Sequence, residues 1–356
     1  MMHKLLAGAL LLAVAAPAQA IGDARVERID AATVRLTWTD AAAVDIYVSP
    51  SPDATRRGSR PVIRDDRDGR EDVAANASIR QYFLIRDRQT GEVRRVAERV
   101  LPLERGSNFR DLGGYPAAGG KRVKWGRIFR SGAMPLLSDG DYAHLKGLGL
   151  GAVIDLRSLE ERAVAPTMLD DRTGALFIAN DYSARAMFAA LRPAPGGGVE
   201  LPDNLYAGLG DLLEPQLRAV FDRLLAGQGN LVYHCSAGQD RTGITSALVL
   251  TLLGVPRDVI LADYHLSTPT RRPEFEMPPI DPAAHPDNPI VQYYAAAAKR
   301  PGGVRAEPLY DRDGVSHLAK FLAGLEAKHG SVMAYLEKTF ALTPDRVARL
   351  RAMYLE

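Results

Sequence analysis

Cysteine is almost missing from this 356-residue chain: Cys235 is the only one, so no disulfide can form within it. A zinc site is excluded with it, because zinc would need further Cys or His at ligand spacing and neither His265 nor His285 supplies that. Net charge is equally scarce. Lys and Arg number 45 against 43 Asp and Glu, a formal +2, so no overall field favours nucleic acid or a generally acidic partner, and any positive field must be local. Beyond residue 20 no run of eighteen apolar residues occurs, and no membrane span is expected there. There are no internal repeats. At 46% hydrophobic and 25% charged the composition fits neither a disordered nor a collagen-like chain, and it is long enough to bury a core, more readily as two domains than one.

What is present begins at the N-terminus. Lys4 precedes an apolar run from Leu5 to Ala16, then Pro17 and the small-residue site Ala18-Gln19-Ala20. Residues 1–20 therefore read as a signal peptide cleaved after Ala20, with a secreted or periplasmic product; an uncleaved anchor is the competing reading. A lone thiol exported to an oxidising compartment is either an inert buried residue or one kept for its chemistry.

Residues 21–101 carry short β-like stretches: Ala24 to Ile29, Thr33 to Trp38 with alternating Val34, Leu36 and Trp38, and Val44 to Val48. Tyr82 to Ile85 and Val93 to Val100 flank a turn and predict a hairpin. The early Trp38, the strand ending Ile46-Tyr47-Val48 and the hairpin opening on Tyr82 resemble a fibronectin type III sandwich. Such a small all-β unit either docks a partner or supports the next domain.

From residue 102 to 356 the texture becomes α/β. Gly151 to Leu156, Ala175 to Ala179 and Asn230 to Tyr233 predict buried, mostly parallel strands. Helices are expected from Ser138 to Leu148, Pro215 to Leu225 and Thr242 to Leu253, the last apolar on most sides and so central. Thr343-Pro344-Asp345 reads as the cap of a terminal helix through Tyr354. Ser267 to Tyr310, dense in proline and charge, is expected to be a functional flap or a mobile stretch.

The decisive segment is His234-Cys235-Ser236-Ala237-Gly238-Gln239-Asp240-Arg241-Thr242-Gly243, between a buried strand and an apolar helix. There, successive backbone N–H groups and the helix dipole converge, which favours a thiolate and prepares a dianion site. Arg241 closes the loop with a planar fork able to bind two phosphate oxygens. Gly238 and Gly243 are expected to allow a tight backbone and close approach of ligand. A buried core cysteine and a rhodanese-like loop are the bland alternatives.

Cys, five residues, Arg, then Thr resembles the signature of the protein tyrosine phosphatase superfamily. Asn108 to Tyr115, Trp125 to Gly132, Ile154 to Arg157 and Gly330 to Leu336 narrow the resemblance to the secreted bacterial tyrosine and lipid phosphatases of the PtpB type. The resemblance implies a phosphotyrosine-phosphatase core with a helical lid and no metal or other cofactor. It implies Cys235 as the nucleophile that becomes a phosphocysteine, and Ser236, Ala237, Gly238, Gln239, Asp240 and Arg241 as the phosphate loop. It matches the general acid to Asp240, with Asp181 as the alternative on a separate loop. Thr242 either donates to the sulfur or caps the following helix. His234 supports the loop, Asp155 holds Arg157 or the loop or is a plain ion pair, and Arg110 and Asp111 brace the site. The expected substrate is a phosphorylated protein, by phosphotyrosine or dual specificity, or a small phosphomonoester. The alternatives are a phosphoinositide or inositol phosphate phosphatase and a non-enzymatic phospho-ligand binding protein. The family usually has Lys where this chain has Gln239, which argues against lipid head groups. Arg271 and Arg272 are read as exposed cations that could restore that charge.

Overall fold

The computed structural model describes residues 21–39, 43–185, 192–193, 199–200 and 205–356, so the proposed signal peptide at 1–20 lies outside the described residues. The N-terminal alternation becomes strands β1 (Arg25–Arg28), β2 (Thr33–Thr37), β3 (Val44–Ser49), β4 (Arg60–Asp66), β5 (Arg70–Ala74), β6 (Tyr82–Asp87) and β7 (Val93–Ala97). They pair antiparallel in two sheets, ordered β1-β2-β5 and β4-β3-β6-β7. Val34, Leu36 and Trp38 from one sheet and Val44, Ile46, Phe83 and Ile85 from the other close into a single buried cluster, because the apolar alternates of each strand share a face. Strands β4 and β5, each at a sheet edge, are absent from the sequence reading because charge overlays their alternation.

The second part runs β8 (Arg110–Asp111), β9 (Ile128–Ser131), α1 (Asp139–Lys146), β10 (Leu150–Asp155), α2 (Leu159–Val164), α3 (Leu169–Thr173) and β11 (Leu176–Ala179). It continues with α4 (Leu205–Leu212), α5 (Glu214–Ala226), β12 (Asn230–His234), α6 (Asp240–Leu253), α7 (Arg257–His265) and α8 (Ser267–Thr270), and ends with α9 (Pro289–Ala298), α10 (His317–His329), α11 (Val332–Phe340) and α12 (Pro344–Tyr354). The sheet order is β11-β10-β12-β9-β8, parallel throughout except for the β8–β9 pair.

Both faces of this sheet are covered, which is why its central strands read as continuous apolar runs. Ile128, Ile154 and Tyr233 point into the cluster built by α4 to α7 and α10 to α12; Phe129, Val153 and Val232 point the other way, against Tyr142, Leu145 and Leu169. Helix α6 lies inside the first cluster and is buried around most of its circumference. Thr343 precedes α12 as expected but makes no side-chain cap bond, whereas Ser138 and Ser158 form complete capping boxes with Asp141 and Glu161. The segment read as flap or mobile follows a defined course through α8 and α9, and Asn288 at the α9 cap reaches the Glu160 carbonyl at 3.1 Å. No helix among the described residues is long and apolar enough to cross a membrane.

The two parts are joined by buried polar contacts. Arg80 meets Asp111 at 3.1 Å with both side chains buried, and Asp111 also accepts from the Gly113 and Gly126 N–H groups at 2.8 Å. Trp125 donates its indole N–H to the Arg95 carbonyl, and the Arg99 guanidinium lies 3.8 Å from the Tyr115 ring centre and 4.9 Å from that of Trp125.

Candidate active site

Strand β12 ends on His234 and α6 begins on Asp240, so Cys235 to Gln239 form the strand-to-helix loop expected from the sequence. Its carbonyls are tied back one after another. The Ser236 carbonyl accepts from the Ala133 N–H at 2.7 Å, Ala237 from the Asn108 amide at 3.0 Å, and Gly238 from Asn108 at 2.9 Å and Arg130 at 2.8 Å. In a trans peptide the next N–H points opposite to the carbonyl, so the amides of Ala237, Gly238 and Gln239 turn to the other side, where the α6 N-terminus adds its partial positive charge. Tight folding of the loop requires glycine at 238: φ is +67°, and a Cβ there would lie 2.6 Å from the Gly132 nitrogen and 2.7 Å from the Ser131 carbonyl oxygen. Asn108, itself at φ +57°, is a residue type that tolerates the left-handed region. Cys235 is buried at the start of this loop.

Arg241 is clamped rather than free. Its guanidinium donates to both carboxylate oxygens of Glu161 at 2.6 Å and to the Tyr182 hydroxyl at 2.8 Å. Ser236 donates its hydroxyl to the same carboxylate. Burial opposes charge on both partners, yet Arg241 and Ser236 hold the Glu161 carboxyl down to about 2, and Glu161 keeps Arg241 well above its ordinary range. Neither Glu161 nor Tyr182 was identified from the sequence. The capping box Ser158-Leu159-Glu160-Glu161 was a legible signal for a fixed carboxylate after β10.

Behind the loop, Asp263 on α7 gathers Arg110 at 3.1 Å, Arg130 at 2.6 Å and the Tyr115 hydroxyl at 2.9 Å. Ser267 accepts from both arginines. Desolvation would raise the Asp263 carboxyl, but the two guanidiniums outweigh it and hold it far below the usual range; burial and the neighbouring Arg130 bring Arg110 down to about 10. Arg110 reaches the loop through Asn108 and is held by Asp263. Asp111 turns the other way, to Arg80 of the N-terminal part.

His234 is fully buried. Its Nε2 lies 3.1 Å from the Thr167 hydroxyl and its Nδ1 3.3 Å from the Cys235 carbonyl. Arg157 donates to Thr167 at 3.0 Å and pairs with Asp155 at 2.7 Å, so Thr167 has its own hydrogen for Nε2, and Nδ1 donates to the Cys235 carbonyl. Burial, only partly offset by Asp155, brings His234 down to about 4, and the ring is neutral at pH 7. Asp155 holds Arg157 in a buried pair.

Four expectations change. Asp181 is exposed and pairs with Arg162, while its neighbour Tyr182 is the residue that reaches Arg241. Thr242 cannot cap α6, because the helix begins two residues earlier; its hydroxyl is buried without a hydrogen-bond partner among the described residues. Gly243 serves the Tyr264 ring, which a Cβ would meet at 2.6 Å, rather than a ligand. Arg271 is not the exposed cation expected: it donates to the side-chain amide oxygen of Gln239 and pairs with buried Glu276 at 2.6 Å, whereas Arg272, still partly exposed, donates to the Leu103 and Glu104 carbonyls at 2.9 Å. Asp240 accepts from the Tyr206 hydroxyl. Among the described residues no cluster of His, Cys, Asp and Glu could hold a metal ion.

Residues 101–356 match the model of the tyrosine phosphatase family. A protein of Cupriavidus necator bearing the name of a tyrosine-protein phosphatase is 32% identical over 256 residues, covering 70% of this chain and 86% of that protein. The tyrosine-protein phosphatase of Nostoc commune is 28% identical over 243 residues, 66% of this chain and 76% of its own. The triple specificity protein phosphatase PtpB of Mycobacterium tuberculosis is 31% identical over 184 residues, 44% of this chain and 65% of its own.

Proposed function

The chain belongs to the tyrosine phosphatase family and is an enzyme of that class; from this premise we propose that it hydrolyses phosphotyrosine monoesters through a phosphocysteine on Cys235. The observation that carries the reading is the loop whose successive carbonyls are tied back by Ala133, Asn108 and Arg130, so that its amides can converge on a phosphoryl group beside Arg241.

The Cys235 thiolate attacks phosphorus in line, forming the S–P bond as the P–O bond to the tyrosine breaks. The leaving phenolate takes its electron pair and a proton from Asp240. Water then attacks phosphorus, the S–P bond breaks back to thiolate, and Asp240 recovers a proton from the water. The buried Thr242 hydroxyl, which has no hydrogen-bond partner among the described residues, is the group we assign to the sulfur in that second step. Asp240 is preferred to Asp181 as the acid because it opens α6 beside Arg241, whereas Asp181 is spent on Arg162.

The substrate reading favours a single phosphate. A second one beside Gln239 would meet Arg271, whose charge Glu276 already balances. Dual specificity is the wider form of the same proposal. A kinetic panel of phosphotyrosine peptide, phosphoserine peptide and phosphoinositide tests it, with the phosphotyrosine peptide expected to give the highest kcat/KM. For the chemistry itself, Cys235→Ser should abolish turnover and the quenched phosphoenzyme while retaining vanadate or phosphate binding. Retained turnover in that variant would refute the phosphocysteine.

We further propose export, with residues 1–20 removed; the mass of the mature protein should start at Ile21. The two N-terminal sheets read as a fibronectin type III-like sandwich over residues 21–101, and its buried joint with the catalytic part, residues 102–356, favours support over partner docking.

A further inference from the structure

Resting on Asp240 as the acid, the structure points to two residues that lie outside the signature. We propose that Tyr206 is a positioning residue for the acid, and that Tyr264, Tyr206 and Asp240 form a one-way hydrogen-bonded chain that reserves one carboxylate oxygen for proton delivery.

The chain is built from separate elements. Asp240 is the first residue of α6, Tyr206 lies on α4 and Tyr264 on α7. Tyr206 donates to Oδ1 of Asp240, and its hydroxyl lies 2.7 Å from that of Tyr264. A phenol carries one hydrogen. When Tyr206 gives its own to Asp240, Tyr264 must be the donor to Tyr206, and the chain has a single polarity. Oδ2 is then the oxygen left to carry the transferable proton. Both rings are held: Tyr206 stacks on His317 at 5.1 Å and 16°, and Tyr264 fills the space that Gly243 leaves. Burial and the facing carboxylate keep the Tyr206 phenol well above its ordinary range, so it stays protonated across the working pH and orients the acid without exchanging a proton with it.

Among the described residues, Arg271 in the segment after α8 and Tyr293 on α9 also feel the Asp240 charge. Both remain in a Tyr206→Phe variant, so that variant isolates one hydroxyl. Without that donor the Asp240 carboxyl loses the bond that fixes its orientation, so proton delivery to a poor leaving group slows.

The test is kcat and KM for an unactivated aryl phosphate and for one with an activated leaving group, in wild type, Tyr206→Phe, Tyr264→Phe and Asp240→Asn. For Tyr206→Phe we expect kcat on the unactivated substrate to fall roughly tenfold, with KM and the rate on the activated substrate little changed. Tyr264→Phe should lower it less, in the same direction. An unactivated-substrate kcat that stays at the wild-type value in both tyrosine variants, or an equal loss on both substrates, overturns the chain. If Asp240→Asn keeps the full rate on the unactivated substrate, the acid assignment fails instead, and the chain falls with it.

Discussion

One carboxylate, Glu161, closes the Ser158 capping box and clamps Arg241, so its charge and its shape can be separated by mutation. Glu161→Gln keeps an acceptor for the cap but leaves the guanidinium without its counter-charge. A charge-assisted contact of this kind is worth roughly 1.5 to 3 kcal/mol, so kcat/KM for a phosphotyrosine peptide should fall on the order of tenfold to a hundredfold. His234 makes a different prediction. Its folded value of about 4 lies below its ordinary 6.5, so the unfolded chain binds the extra proton first as pH falls. The stability from keeping the ring neutral is complete above about 6.5 and is lost as pH falls towards about 4. Urea unfolding at pH 7 and pH 4.5 should show a loss on the order of 2 kcal/mol that His234→Gln removes. Cys235 and Arg241 were legible because the chemistry of a phosphate loop is local in sequence. Asn108, Glu161, Tyr182 and Asp263 were not, since each meets the loop only through tertiary folding. Arg271, read as an exposed cation, misled for the same reason: its partner Gln239 lies in a distant segment.

At the scale of elements, buried strands and α6 could be read from apolar runs, and the first sheets from alternation, because burial leaves its period in the sequence. Edge strands β4 and β5 could not, since half-exposed positions carry charge freely. Glycines were recognised as necessary, yet the sequence does not say what approaches them. Gly243→Ala would press a methyl group into the Tyr264 ring at 2.6 Å. We expect about 1 to 3 kcal/mol of destabilisation by urea titration, as for other overpacked cores, and a displaced Tyr264 hydroxyl. Gly238→Ala should cost more. It adds a left-handed φ of +67° to a backbone clash, and phosphate binding should be lost with it.

On the scale of the whole molecule, residue 110 serves the loop and residue 111 serves the joint, so two neighbouring side chains link the sheets of the N-terminal part to the catalytic cradle. Arg80→Ala leaves a buried Asp111 without its cation, a change expected to cost about 3 to 5 kcal/mol in unfolding free energy. The Asn108-Phe109-Arg110-Asp111 motif points both charged side chains at the site, whereas in the fold they alternate between opposite clients. The consequence is thermodynamic. Two units that share a buried ion pair cannot melt independently, because exposing either strands a charge in the other. Scanning calorimetry of the intact chain should give one endotherm with calorimetric and van't Hoff enthalpies in agreement, and Arg80→Ala should divide it into two.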